Sequence, residues 1–190
     1  MRTISFCGDS WCAGLKTNSW CNLLADRLNS RIKVRGKPGT AYEYAIKSFD
    51  PTSDVTVFLW TEASRLYHKD FKCTYNNKIR RFDNMKTVEL LSASAEIFYR
   101  TFYTKDFFEE LQMRSLYWFD NEVLSKYKGL AIHIFCFEKT YHFSNGINVD
   151  HIMHTQNAKE AAYDNHLSLV DNKLFSDKLF TIISQHESKV

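Results

Sequence analysis

Short apolar runs separated by amphipathic stretches recur along the chain. The run Val55–Trp60 is almost wholly apolar, which predicts a central parallel strand that is buried on both faces. Leu130–Phe137 has the same character, while Thr3–Cys7 and Ile32–Val34 are shorter runs rich in β-branched or aromatic residues. The pattern therefore predicts strands at these four positions.

Helical periodicity fills the intervals between these runs. Apolar residues three or four positions apart predict a helix beginning near Trp20, a helical region over 86–126 that breaks near Thr104–Asp106, and a C-terminal helix around Phe175–Ile183. Strands that alternate with helices indicate right-handed crossovers and a parallel sheet covered on both faces. The predicted class is α/β, and the length favours one domain over 1–190.

Two segments between the predicted strands and helices have less regular patterns of apolar residues. Thr40 is placed to cap a short helix that extends to about Ser48. The stretch Phe137–Ala158 contains Gly146 and predicts a long irregular loop, of the kind that covers or shapes a binding site.

Three loops follow the carboxyl ends of predicted strands. They are Gly8–Cys12, Gly36–Thr40 and Thr61–Arg65. In an open parallel sheet, ligands bind beyond the carboxyl ends of the strands, so we expect the chemistry of this protein in these loops.

The first loop carries a candidate nucleophile, Ser10, within Gly8-Asp9-Ser10. The same tripeptide is also typical of an Asx or Ser turn without chemistry. A serine nucleophile needs a base to accept its proton and donors to hold an oxyanion. His166, just before the C-terminal helix and two residues after Asp164, is the candidate base; a polar loop or capping role is the alternative.

Four blocks of the sequence resemble the SGNH (GDSL-type) hydrolase family. The blocks are Phe6–Trp11, Gly36–Thr40, Phe58–Glu62, and Asp164–His166 followed by Asn172–Phe175. The first and last blocks are the more specific. The Thr-x-x-x-Arg pattern after the third strand is also similar to divergent members of the family carried by bacteriophages.

The resemblance implies a flavodoxin-like three-layer α/β/α sandwich with a central parallel sheet. It implies that Ser10 is the nucleophile, that His166 is the general base and that Asp164 orients His166, although the family usually places this acid three residues before the histidine. It further implies an oxyanion hole formed by the backbone N–H groups of Ser10 and Gly39, together with an asparagine side chain from the third block.

This chain lacks that asparagine. Glu62, or Thr61 in a shifted register, stands in its place, and a glutamate carboxylate cannot donate to an oxyanion unless it is protonated. The Thr61 hydroxyl, or Arg65 reaching back, could substitute. The residues expected to line the oxyanion and substrate site are Asp9, Gly39, Thr61, Glu62 and Arg65.

The functional expectation is a serine-dependent esterase or deacylase that acts on a small-molecule or glycan ester, without cofactor or metal. The altered third block supports an alternative: a catalytically impaired module of the same fold that binds a glycan or another anionic partner. The segment Arg65–Lys86 holds seven Lys or Arg against two Asp, a local +5, and either binds such a partner or forms a solvated loop. A nucleotide-binding domain is the third and weakest functional hypothesis, because no glycine-rich phosphate loop is present.

Composition narrows these options. The net charge of +3 is too small to favour nucleic acid. Five cysteines without CxxC spacing indicate reduced thiols in a cytoplasmic protein, and neither a signal peptide nor a membrane span is expected. The phage-like pattern is compatible with a virus-encoded chain.

Three other histidines are not expected to take part in the chemistry. His151 and His154 have no further ligands to complete a metal site, and His133, in a predicted strand, is expected to be a hydrogen-bonded core residue. The oligomeric state stays open.

Overall fold

The apolar runs pair as parallel strands. The computed structural model describes residues 1–14, 16–65, 93–94, 96–136, 139–149 and 167–189. One sheet, ordered β2-β1-β3-β4-β5, is formed by β1 (Thr3–Cys7), β2 (Arg31–Val34), β3 (Val55–Trp60), β4 (Leu130–Phe135) and β5 (Ile147–Val149). This is the strand order of flavodoxin-like folds.

Helices cover both faces of the sheet. They are α1 (Trp20–Arg27), α2 (Tyr42–Lys47), α3 (Lys105–Trp118) and α4 (Leu169–Glu187). A π turn, Phe119–Val123, and a 3-10 turn, Leu124–Lys126, continue α3 towards β4. Apolar residues of α1 and α4 pack on one face, and those of α2, α3 and the π turn pack on the other. The predicted three-layer α/β/α sandwich is confirmed.

The side chains of β3 explain its continuous apolar run. Val57 and Leu59 pack in the core beneath α1 and α4, whereas Phe58 and Trp60 pack in the core beneath α2 and α3. Successive residues of a strand point to opposite faces, so a central strand covered on both sides is apolar at nearly every position. The exception, Thr56, has its hydroxyl 3.0 Å from the Tyr127 hydroxyl. All six residues of β3 are buried.

The structure confirms one local prediction about the helices and contradicts another. The break in the long helical region is confirmed, because a helical segment over 96–101 ends before α3 begins at Lys105; residues 86–92 lie outside the described ranges. The prediction that Thr40 caps α2 is wrong. Ala41 occupies the cap position, and the Thr40 hydroxyl donates instead to the Lys37 carbonyl at 2.8 Å.

The prediction of an uninterrupted loop after β4 is also wrong. Ile147–Val149 forms β5, a three-residue edge strand paired with β4. Its residues are only half-buried, and three positions are too few to produce a recognisable strand periodicity.

His133 lies inside the core, as the sequence predicts. Its ring stacks on Phe143 with the ring centroids 3.6 Å apart. The Trp60 indole N–H donates to His133 Nδ1 at 3.3 Å, so the ring proton lies on Nε2, which donates to the Asn145 carbonyl at 2.9 Å. Burial lowers the pKa of His133 to about 4 and keeps the ring neutral.

We predict that His133 makes the fold acid-sensitive between about pH 6.5 and pH 4. In that window the unfolded chain binds a proton on this histidine and the folded chain does not, so stability falls as the pH falls. A shift from 6.5 to about 4 corresponds to about 3 kcal/mol. Urea unfolding at pH 7 and pH 4 should show this loss in the wild type and a smaller one in His133→Gln; equal losses would contradict the assignment.

Candidate active site

The topology places a crevice between the ends of β1 and β3. The chain passes from β1 to β2 on one side and then returns to β3 on the other, so the strand order reverses at β1. Open α/β sheets bind ligands at such a switch point. The loops Gly8–Cys12 and Thr61–Arg65 leave the two strands at this position.

Ser10 begins a tight turn directly after β1. Asp9 occupies the cap position, and its Oδ1 accepts the backbone N–H of Trp11 at 3.0 Å. The Asp9 carbonyl accepts the N–H of Cys12 at 3.3 Å, which closes the 3-10 turn Ser10–Cys12. Asp9 is fully buried, while Ser10 is only half-buried. The aspartate therefore holds the turn, and the serine lies nearer to the surface.

Glycine lets the second loop lie against this turn. A Cβ atom at Gly36 would lie 2.4 Å from both the Asp9 carbonyl oxygen and Cys12 Sγ, so only glycine fits without movement. The Gly36 N–H donates to the Cys12 carbonyl at 3.1 Å. Gly39, further along the same loop, has a φ of +71°, in the left-handed region that favours glycine.

Arg65 joins the three loops through a buried ion pair. Its Nη1 donates to Asp9 Oδ2 at 2.7 Å, and the Asp9 side chain has no exposure to solvent. The Arg65 Nε donates to Glu62 Oε1 at 3.1 Å, and Nη1 also contacts the Thr40 carbonyl at 3.4 Å. Asp9, Thr40, Glu62 and Arg65, which are distant in sequence, therefore meet at one edge of the sheet.

Thr61 is anchored through its backbone. Its carbonyl accepts the side-chain amide of Gln112 at 2.8 Å, and Gln112 Oε1 accepts the Thr140 hydroxyl at 2.9 Å. The Thr61 hydroxyl is buried and has no hydrogen-bond partner within the described part of the chain. Gln112 did not emerge from the sequence, although its position one turn before buried Leu116 marks it as a polar residue on the inner face of α3.

The candidate base lies beyond the described residues. His166 and Asp164 fall in the undescribed range 150–166, as do His151 and His154. The basic segment after Arg65 is also outside the described ranges. Among the sequence-predicted residues, the structure joins Asp9, Glu62 and Arg65 directly. Ser10, Gly39 and Thr61 are their neighbours in the loops that follow the first three strands.

The residue after His166 is tied to the Ser10 turn. The Trp20 indole N–H donates to the Trp11 carbonyl at 2.7 Å, and the Trp20 backbone N–H donates to Asn172 Oδ1 at 2.8 Å. Asn172 Nδ2 donates to the Leu167 carbonyl at 3.2 Å. Leu167 is buried in the core that also contains Cys12. Two side chains thus connect the turn of Ser10 to the start of α4.

Cys12 lies two residues from Ser10 but is poorly suited to be a nucleophile. It is fully buried, and burial raises the pKa of its thiol well above the ordinary value. The thiolate is the reactive form of cysteine, so a thiol held protonated is unreactive. Cys7, Cys21 and Cys136, the other cysteines in the described ranges, are likewise free and buried.

Membrane-spanning helices and clusters of metal ligands are both absent from the described ranges. None of the helices there is long and apolar enough to cross a membrane. No group of three or more His, Cys, Asp or Glu residues in those ranges converges as a set of metal ligands.

Comparisons with known proteins bear on the fold. The sequence matches no protein-family model and no curated protein. Among solved structures, the chain is similar to a G-D-S-L-family lipolytic protein from Desulfitobacterium hafniense DCB-2, with 11% identity, a TM-score of 0.52, and coverage of 96% of this chain and 99% of that chain.

Two carbohydrate esterases are also similar in structure. The acetyl xylan esterase Est2A from the rumen bacterium Butyrivibrio proteoclasticus has 9% identity and a TM-score of 0.50, covering 98% of this chain and 64% of its own. A family two carbohydrate esterase from Clostridium thermocellum, in complex with cellohexaose, has 12% identity and a TM-score of 0.49. The match covers 100% of this chain and 65% of the esterase. The chain thus spans less than two-thirds of either esterase.

At this level of identity the likeness is one of fold. The chain has the fold of the SGNH/GDSL-type hydrolases.

Proposed function

We propose that the protein is a serine-dependent hydrolase that cleaves a carboxylic ester by acyl transfer through Ser10 and His166. The observation that carries this proposal is the hydrogen-bonded connection from Trp11 through Trp20 and Asn172 to Leu167. It ties the turn of the candidate nucleophile to the residue that directly follows the candidate base.

In this reaction, Ser10 Oγ forms a bond to the ester carbonyl carbon while His166 accepts the hydroxyl proton. The tetrahedral intermediate then expels the alcohol, which takes the proton from His166, and leaves an acyl group on Ser10. Water, deprotonated by the same imidazole, releases the carboxylic acid and restores the serine. Asp164 would orient the imidazole and stabilise its charged form.

The oxyanion is stabilised by the backbone N–H groups of Ser10 and Gly39, with the Thr61 hydroxyl as the third donor. Two observations favour Thr61 over Glu62 in this role. The Thr61 hydroxyl is buried without a partner in the described structure, so it retains a hydrogen to donate. The Glu62 carboxylate accepts a hydrogen bond from Arg65 and so serves as an acceptor. Glu62 then positions Arg65, which in turn holds Asp9.

A fluorophosphonate probe tests the proposal directly, because it reacts covalently with an activated serine. We expect the folded wild type to be labelled at Ser10, as located by peptide mass spectrometry, and labelling to fall at least tenfold in His166→Ala. Urea-unfolded protein serves as the control and should remain unlabelled. An unlabelled folded wild type would overturn the hydrolase and favour the binding module on the same fold.

A further inference from the structure

A cavity of about 220 Å³ lies beside the candidate active site. It opens between the loop after β3, the start of α3 and the chain before β5. Its polar and aromatic lining residues are Glu62, Ser64, Tyr103, Lys105, Glu109 and Thr140. Sites for drug-sized ligands usually measure about 300–1,000 Å³, so this cavity suits one small group such as a single sugar ring.

The cavity is continuous with the residues that form the candidate active site. Glu62 lines the cavity and also accepts the hydrogen bond from Arg65, which pairs with Asp9 next to Ser10. On the other side, Thr140 lines the cavity and donates to Gln112, which holds the Thr61 carbonyl. A group in the cavity would therefore lie against the same loop that supplies the Thr61 hydroxyl.

Ser64 lines the cavity and carries a buried hydroxyl group. Ser64 is 7% exposed as a residue, and its Oγ is buried without a hydrogen-bond partner in the part of the chain that the structure describes. Its backbone carbonyl is already bonded to the Tyr99 hydroxyl at 2.6 Å. Buried hydroxyls are nearly always hydrogen-bonded, so this atom indicates a missing partner that a ligand could supply.

The charge of the lining selects the kind of ligand. Glu62 and Glu109 contribute two negative charges and Lys105 one positive charge, a net −1, which disfavours an anion. Lys105 Nζ lies 3.3 Å from Glu109, and the net charge stays at −1 when Arg65 is counted together with Asp9, its other partner. Carboxylates accept and serine or threonine hydroxyls both donate and accept, so together they match a ligand that is rich in hydroxyl groups.

We propose that this cavity binds the alcohol part of the ester, and that this part is a neutral, hydroxyl-rich group such as one sugar residue. The inference rests on the proposed function, since it needs an ester to be cleaved at Ser10. It makes Ser64 and Glu109 determinants of specificity: Ser64 Oγ gains its missing partner from a substrate hydroxyl, and Glu109 accepts a second hydroxyl.

The charge preference can be tested on the wild type alone. A mono-O-acetylated methyl glucoside and the matching mono-O-acetylated methyl glucuronide present the same ester on a neutral and on an anionic ring. We expect kcat/KM to be at least tenfold higher for the glucoside. Equal values, or a preference for the glucuronide, would overturn the proposal.

Three variants test the cavity residues. In Ser64→Ala and Glu109→Gln we expect the ratio of kcat/KM for the acetylated methyl glucoside to that for p-nitrophenyl acetate to fall about tenfold. The matched control is Glu110→Gln, one residue further along α3, where Glu110 pairs with Arg114 outside this cavity; its ratio should not change. An unchanged ratio in both cavity variants would overturn the proposal.

A binding measurement separates this proposal from the proposed function. Methyl glucoside, which carries no ester, should bind Ser10→Ala saturably in an NMR titration, and the binding should weaken about tenfold when Ser64→Ala is added. If the wild type cleaves no ester but this binding is seen, the proposed hydrolase activity is wrong and the proposed binding of a sugar in the cavity is supported. If the wild type cleaves p-nitrophenyl acetate and methyl glucoside does not bind, the cavity proposal alone fails.

Discussion

Ser10→Ala is expected to lower the hydrolysis of p-nitrophenyl acetate by at least about 10³-fold. The reaction forms a covalent bond to Ser10 Oγ, and alanine leaves no atom at that place to attack the carbonyl. The turn itself should persist, because Asp9 accepts hydrogen bonds from the backbone N–H groups of Trp11 and Cys12. The measurement is the initial rate at saturating ester, with the melting temperature recorded alongside.

Ser188→Ala is the matched control for this substitution. Ser188 is exposed at the C-terminal end of α4, whereas the start of α4 adjoins the Ser10 turn. This variant should keep the wild-type rate. If Ser10→Ala keeps that rate as well, the hydrolysis arises elsewhere and the assignment of the nucleophile is wrong.

The parts of the fold that depend on local pattern could be predicted from the sequence. β3 is the clearest case, since all six of its residues are buried and its five apolar residues are divided between the two cores. The meeting of the three loops was also predictable, because the carboxyl ends of parallel strands lie at one edge of a sheet. Neither prediction depends on which side chains are in contact.

β5 could not be predicted because distant polar contacts support it. The buried Asp120 carboxylate, in the π turn, accepts the N–H groups of Ser144 at 2.7 Å and Asn145 at 3.0 Å, just before the strand begins. The Tyr141 hydroxyl donates to the same carboxylate at 3.1 Å. An aspartate more than twenty residues earlier fixes this segment, and no periodicity within the segment reveals that.

The partners of Arg65 were equally hidden from the sequence. Its position at the start of a basic segment suggested contact with substrate, or an oxyanion contact in place of the missing asparagine. In the structure its guanidinium contacts Asp9, which lies 56 residues earlier, and Glu62. The long arginine side chain can reach several positions. It pairs with Asp9 here because a buried carboxylate needs a cation beside it.

Arg65→Met is expected to lower the free energy of unfolding by about 3–5 kcal/mol. Methionine keeps much of the length of the side chain but offers no donor to Asp9 Oδ2, which Arg65 Nη1 contacts at 2.7 Å in a fully buried position. The buried carboxylate would then lack the cation that compensates it. Domains are usually stable by only about 5–15 kcal/mol, so urea unfolding should show a large decrease in the midpoint.

Two further variants separate a buried charge from a general loss of packing. In the double variant Asp9→Asn/Arg65→Met the buried charge is removed while the amide oxygen can still accept the Trp11 N–H, so most of the lost stability should return. Arg114→Met removes an exposed ion pair with Glu110 and should change the free energy of unfolding by less than about 1 kcal/mol. If Arg65→Met costs no more than Arg114→Met, the Asp9–Arg65 pair does not hold the three loops together, and the positioning role given to Glu62 fails with it.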